Sequence, residues 1–166
     1  MRKKHIIITL LMTSLLAILV ACGGKANDVE SVSYQSIQEG VDNRITYYYK
    51  KDTDEVTKQE AYTQMSYDFL GVKDAEAAKA KLEQFTSMYE GIEGVTEKIE
   101  FGETSLTQTV TLDYTKANFA DLSQIPGIES INLENSDYIS LDKSIQLIEQ
   151  QGFKEVKDGK FEEFKE

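Results

Sequence analysis

Leu106-Thr107-Gln108-Thr109-Val110-Thr111-Leu112-Asp113-Tyr114 decides the fold of this chain. Leu106, Val110, Leu112 and Tyr114 fall on one side of a two-residue period; Thr107, Thr109, Thr111 and Asp113 fall on the other. Side chains of a strand alternate between its faces, so the segment reads as an antiparallel strand with one face on a core and one in water. Just upstream, Val95, Ile99 and Phe101 alternate with Thr96, Lys98 and Glu100, and Gly102-Glu103-Thr104 supplies turn residues. Together these segments predict a hairpin.

Further toward the N-terminus the same period recurs. Ile45, Tyr47 and Tyr49 alternate with Arg44, Thr46, Tyr48 and Lys50; Lys51-Asp52-Thr53-Asp54 turns; Val56 to Tyr67 reads as a return strand. Val32 and Tyr34, alternating with Ser33 and Gln35, make a weak first strand. Between the two hairpins the period changes. Ala75, Ala78, Leu82, Phe85 and Tyr89 recur at helical steps behind Asp74, which predicts a helix capped by Asp74, ending near Glu90 with Gly91 beyond it. Its expected partner is the apolar face of the Leu106–Tyr114 strand. A short helix over 116–124, with Phe119 and Leu122 on one side, stops at Pro126-Gly127, which holds the only Pro. Ile128, Ile131 and Leu133 lead into polar Glu134-Asn135-Ser136-Asp137. Ser140 then caps a last helix carrying Leu141, Ile145 and Ile148, and Gly152 with Phe153 supplies the ending in which Phe153 packs on Ile148. The tail, 154–166, is a run of charges with room for one short strand or a fray. The whole predicts an α+β fold: an antiparallel β-sheet with two to three helices packed on it, in a single compact domain over 32–166.

The first residues carry an address. Met1-Arg2-Lys3-Lys4 is a positive start, and an apolar stretch runs from Ile6 to Val20. That stretch falls short of the roughly 20 residues that cross a bilayer as a helix. A positive start, a short apolar run and small residues at its end make a secretory signal. Leu19-Val20-Ala21-Cys22 resembles a lipobox, in which the Cys thiol receives a diacylglyceryl group and the chain is cut before it. Residues 1–21 are therefore read as a cleaved lipoprotein signal peptide. Residues 22–31 are read as the lipidated Cys22 and a polar tether. The expected location is the extracytoplasmic face of the cell membrane, held by lipid on Cys22.

After residue 21 the chain holds 15 Lys and Arg against 29 Asp and Glu, a formal charge of −14. Such a field repels phosphate polymers, so no nucleic-acid partner is expected. The only His is His5 and the only Cys is Cys22, so the mature domain has no imidazole and no free thiol. Catalysis by Ser-His-Asp or Cys-His and metal sites built on His or Cys are excluded on composition. No GxGxxG or GxxxxGK[ST] occurs. No cofactor, metal or catalytic residue is predicted. Three candidates built on oxygen remain. Asp52-Thr53-Asp54-Glu55 gathers carboxylates that suit Ca2+, without the Gly and Glu spacing of an EF-hand. Glu97, Glu100 and Glu103, or Asp137 and Asp142, offer carboxylate pairs for glycoside hydrolysis. Tyr47-Tyr48-Tyr49 with Tyr62 and Tyr67 makes an aromatic hairpin suited to a core, a ligand or a partner.

Taken together, Asp54-Glu55-Val56-Thr57-Lys58-Gln59, Gly94-Val95-Thr96-Glu97-Lys98-Ile99-Glu100-Phe101, Thr109-Val110-Thr111-Leu112-Asp113-Tyr114, Ile139-Ser140-Leu141 and Gly152-Phe153-Lys154-Glu155-Val156 resemble, in this order, the YehR-like family of small bacterial envelope lipoproteins. The resemblance spans about residues 30–157. It implies a compact α+β domain of unknown function and carries over no residue role beyond lipid on Cys22. The leading expectation is a non-enzymatic binding or interaction module in the cell envelope, with an exposed Tyr-bearing patch on the sheet and no deep pocket. A carrier of a small ligand or cation is the second expectation, and a carboxylate-based envelope hydrolase the third.

Overall fold

The computed structural model describes residues 28–123, 125 and 138–164. The stretch read as a signal peptide, Cys22, Pro126-Gly127, Ile128, Ile131, Leu133 and Glu134 to Asp137 lie outside the described residues. Among the described residues seven strands form one antiparallel sheet: β1 (Val29–Gln38), β2 (Val41–Lys50), β3 (Glu55–Ser66), β4 (Val95–Phe101), β5 (Ser105–Asp113), β6 (Ile139–Ser140) and β7 (Lys154–Glu155). Their order is β4-β5-β3-β2-β1-β7, and β6 pairs the start of β3. Four described helices accompany them: α1 (Tyr67–Leu70), α2 (Ala75–Thr86), α3 (Phe119–Leu122) and α4 (Leu141–Gln150), of which α1 and α3 are single turns. The α+β class, the antiparallel sheet and the compact single domain agree with the sequence reading.

Every described helix packs on one side of the sheet. The larger core cluster joins Tyr34, Tyr47, Val110 and Leu112 of the strands to Leu122 of α3 and to Leu141 and Ile148 of α4. The smaller joins Leu106, Met65, Ile99 and Phe101 to Tyr67, Ala78 and Leu82. This division corrects the expected packing. Leu112 meets α3 and α4, and only the Leu106 end of β5 meets α2. Phe85, assigned from sequence to the apolar stripe, is 53% exposed. The helix itself ends at Thr86, and Ser87–Tyr89 continues as a single 3-10 turn.

Boundaries moved where pairing adds order that local pattern lacks. The first strand is ten residues long because β2 pairs it from Val29↔Lys50 to Gln38↔Val41. Residues 29–31, read as tether, therefore already belong to the sheet. Helix α3 is shorter than 116–124 because Asn118 caps it, accepting the Ala120 N–H at 2.9 Å. Asp74 caps α2 as expected, accepting the Ala77 N–H at 2.9 Å. Ser140 caps α4 through the Lys143 N–H. The end of α4 is the predicted Schellman closure: the Phe153 N–H donates to the Ile148 carbonyl and the Gly152 N–H to that of Glu149. Lys154 and Glu155 then pair with β1, the short strand for which the tail had room.

Candidate functional site

The described helices share one side, so among the described residues most of the other side of the sheet is left to its own side chains. Alternation assigns it Ser33, Thr46, Tyr48, Lys58, Glu60 and Tyr62 from β1 to β3 and Thr107, Thr109 and Thr111 from β5. Thr96, Lys98 and Glu100 of β4 extend it, and all three are exposed. Among the described residues only the C-terminal tail crosses this face, at one corner. There Arg44 lies between two rings, 5.0 Å from the centre of Tyr62 and 4.7 Å from that of Phe161. Its guanidinium donates to Asp42, which is fully buried and also accepts from the Gln35 amide at 2.8 Å. Gln35 in turn exchanges hydrogen bonds with the backbone of Glu162. A buried carboxylate is stable only when paired and bonded in this way.

The open part of the face is held in place by its own polar contacts. Tyr48 donates to Glu60 at 2.9 Å, and Lys58 pairs with the same carboxylate at 2.8 Å while lying 3.9 Å from the Tyr48 ring centre. Burial first, and then the bond to Glu60, push the Tyr48 hydroxyl up to about 12. Glu60 itself is held below the usual range: burial opposes this, but the bonds from Lys58 and Tyr48 win. Tyr48 thus stays a neutral donor at any physiological pH.

The aromatic hairpin is not one surface. Tyr47 and Tyr49 point into the larger core, Tyr48 and Tyr62 lie on the open face, and Tyr67 begins α1. Tyr67 is buried in the smaller core and donates to the Gly102 carbonyl at 2.9 Å. The carboxylate cluster of the 52–55 turn is likewise dispersed. Asp54 accepts from the Asp142 N–H at 2.8 Å and from the Ser140 hydroxyl, which ties the turn to the start of α4. Glu55 pairs with Lys50 at 2.6 Å, and Asp52 is exposed. Asp54 therefore acts as a structural cap, and the geometry does not gather the turn around a cation. Glu97 and Glu100 are an odd number of residues apart on β4, so they point to opposite faces and make no facing pair; Glu103 lies in the turn beyond. Asp137 lies outside the described residues, so its pairing with Asp142 falls there too.

One feature escaped the sequence reading. The core-facing side of the central strands is not wholly apolar. Gln59 and Thr63 of β3 and Gln108 of β5 sit among Ile45, Ala61, Val110 and Leu112, and they border a cavity of about 240 Å³ beneath α4. The sequence reading expected no deep pocket and did not foresee this small space. The available signal was Gln108, which breaks the apolar side of the Leu106–Tyr114 alternation.

The described residues contain no helix long and apolar enough to cross a membrane. Residues 30–154 match the family described as protein of unknown function, DUF1307. The uncharacterized lipoprotein Lmo0207 of Listeria monocytogenes is 43% identical over 138 residues, covering 83% of this chain and 86% of that protein. The uncharacterized lipoprotein YehR of Escherichia coli is 31% identical over 158 residues, 95% of this chain and the whole of that protein. The solution structure of YehR superposes with a TM-score of 0.69 over 81% of this chain and 96% of its own. A Streptococcus pneumoniae protein of 19% identity shares the fold alone, with a TM-score of 0.54 over 93% of this chain and 99% of its own. Spanning most of the domain and joined by relatives named as lipoproteins, these matches agree with the resemblance drawn from the sequence: the chain belongs to the DUF1307 family, whose function is unknown.

Proposed function

We propose that this protein is a non-enzymatic binding module, held on the extracytoplasmic face of the membrane by lipid on Cys22, that engages an envelope protein through the open face of its sheet. The observation that supports this reading is that, among the described residues, one side of β2, β3 and β5 carries no helix and presents Tyr48 of β2, Tyr62 of β3 and the Thr107, Thr109 and Thr111 hydroxyls of β5 from one hydrogen-bonded ladder. Tyr is favoured in interfaces because it couples a large apolar ring to a polar tip. Backbone pairing on both sides of β5 fixes these groups in advance, which lowers the ordering cost of association. The names of the relatives support the lipid anchor, and the lipobox at Cys22 supplies its attachment point.

A photo-crosslinking residue at Thr109 tests the surface in intact cells. A discrete adduct is expected there and none from the same residue at Lys79 on α2. Equal labelling from both positions, or none from Thr109, counts against the open face. Cys22→Ala tests the anchor separately: the variant is expected in the soluble fraction, and a membrane-bound variant without lipid overturns that part.

A further inference from the structure

We propose that the cavity under α4 is a binding site for a small uncharged molecule bearing hydroxyl groups, of about monosaccharide size. This site lies on the opposite side of the sheet from the open face, and the inference does not depend on that face having a partner.

A core-facing position in a half-buried sheet is normally apolar, because an unbonded polar group costs free energy there. Gln59, Thr63 and Gln108 break that rule on adjacent central strands. They are not a packing accident held by chance bonds. Gln59 accepts from Tyr114 at 2.9 Å, Thr63 donates to Asn43 at 2.8 Å, and Gln108 donates to Glu97. No buried side-chain polar atom among the described residues lacks a partner. Each bond uses one end of its group and fixes the other. Gln59 is held by its oxygen, which leaves its amino hydrogens. Thr63 and Gln108 are held as donors, which leaves oxygen lone pairs. The result is a short array of oriented donors and acceptors at the floor of a partly open space.

Size and charge then narrow the occupant. The space is about 240 Å³, below the roughly 300–1,000 Å³ of ordinary ligand pockets, so the ligand is compact. Ala61 keeps it open, since its methyl lies between the longer Ile45 and Val110 in the same cross-strand row. From the helix side Ser144 and Gln151 add polar neutral groups, and Tyr47 and Tyr89 add rings. Among the described residues the lining includes no Asp, Glu, Lys or Arg. A charged ligand would find no counter-ion among these residues, at a large cost. A molecule with hydroxyls on its edge and C–H groups on its faces matches a lining of amides, hydroxyls, rings and aliphatic walls.

The test is an NMR titration of the full-length chain in dodecylphosphocholine micelles with D-glucose, and separately with N-acetylglucosamine, glucuronate and N-acetylalanine methylamide. Either neutral sugar is expected to shift the side-chain amides of Gln59 and Gln108. Ala61→Leu, which fills the space, is expected to abolish those shifts while the chain keeps a cooperative melt. Thr63→Val is expected to weaken binding at least about tenfold, the effect of losing one well-placed hydrogen bond. The proposal is overturned if neither sugar shifts these amides at concentrations up to about 10 mM, below which even weak specific sites respond. It is equally overturned if glucuronate or the amide binds as well as the sugars, or if Ala61→Leu binds unchanged. Should Ala61→Leu fail to fold, the unsubstituted titration and Thr63→Val decide the matter.

Discussion

Leu112 and Thr111 are neighbours in sequence and live in different solvents. Leu112 is 4% exposed in the larger core, whereas Thr111 is half-buried on the open face. Leu112→Ala is expected to cost about 2–5 kcal/mol, and Thr111→Ala within about 0.5 kcal/mol, the range of most surface changes. Urea melts of the two variants check this; equal losses mean the open face is covered. Tyr47 and Tyr114 make a second residue-scale test. Burial raises both hydroxyls well above the ordinary tyrosine value of about 10; Tyr34 adds to the first and Tyr47 to the second. In the unfolded chain each proton leaves near that ordinary value, while in the fold it stays. Their contribution to stability is therefore complete below about pH 10 and is lost as pH rises beyond it. The urea midpoint should decline above that pH. Ultraviolet titration should show part of the tyrosine ionising only as the chain unfolds; complete ionisation of a still-folded protein contradicts the burial of this pair.

At the scale of elements, the turns decide what the sheet can tolerate. Gly94 precedes β4 with φ +79°, and a Cβ there would stand 2.6 Å from the Asp113 carbonyl oxygen and 2.9 Å from the Ala117 nitrogen. Gly152 has φ +90° at the end of α4 and open space around it. Alanine in the left-handed region costs about 1–2 kcal/mol at either site. At Gly94 the clash adds about 1–3 kcal/mol more, as overpacking does. Thermal melts should rank Gly94→Ala well below Gly152→Ala, and the reverse order refutes the tight approach of β4 to the Asp113 turn. Alternation along the sequence made β2, β4 and β5 legible, and cap residues located α2 and α4. Contacts distant in sequence were not legible. Thr57 forms a bulge between the Tyr48↔Lys58 and Tyr49↔Val56 pairs, which sends Val56 to the core although it has the same parity as Lys58 on the open face. The tie from Asp54 to α4 spans 88 residues, so a local reading could see only a cluster of acids. The open face was readable from Thr107, Thr109 and Thr111, whereas the cavity requires α4 to be laid over Gln59 and Gln108.

Seen as a whole molecule, the described sheet has two edges, and they differ in what limits further pairing. One edge is β1, on which β7, only two residues long and followed by a 3-10 turn, covers Tyr34 and Gln35. The other is β4, whose Glu97 points to the helix-bearing side and is bonded by Gln108. An inward-pointing charge on an edge strand penalises any second strand that would pair there, because pairing would strip water from the carboxylate. Glu97→Val removes the penalty and leaves a Val-Thr-Val-Lys-Ile edge. Light scattering should report concentration-dependent association of this variant, with the unsubstituted protein remaining dispersed; a variant that stays monomeric shows that Glu97 does not guard the edge. The device matters most on a surface. Lipid anchors confine their cargo to two dimensions and to similar orientations, so neighbouring copies meet side by side far more often than they would in free solution. Strand edges that tolerated pairing would turn that crowding into filaments along the membrane. With Glu97 turned inward on β4, a higher density of such a protein at a membrane is expected to leave that edge unpaired.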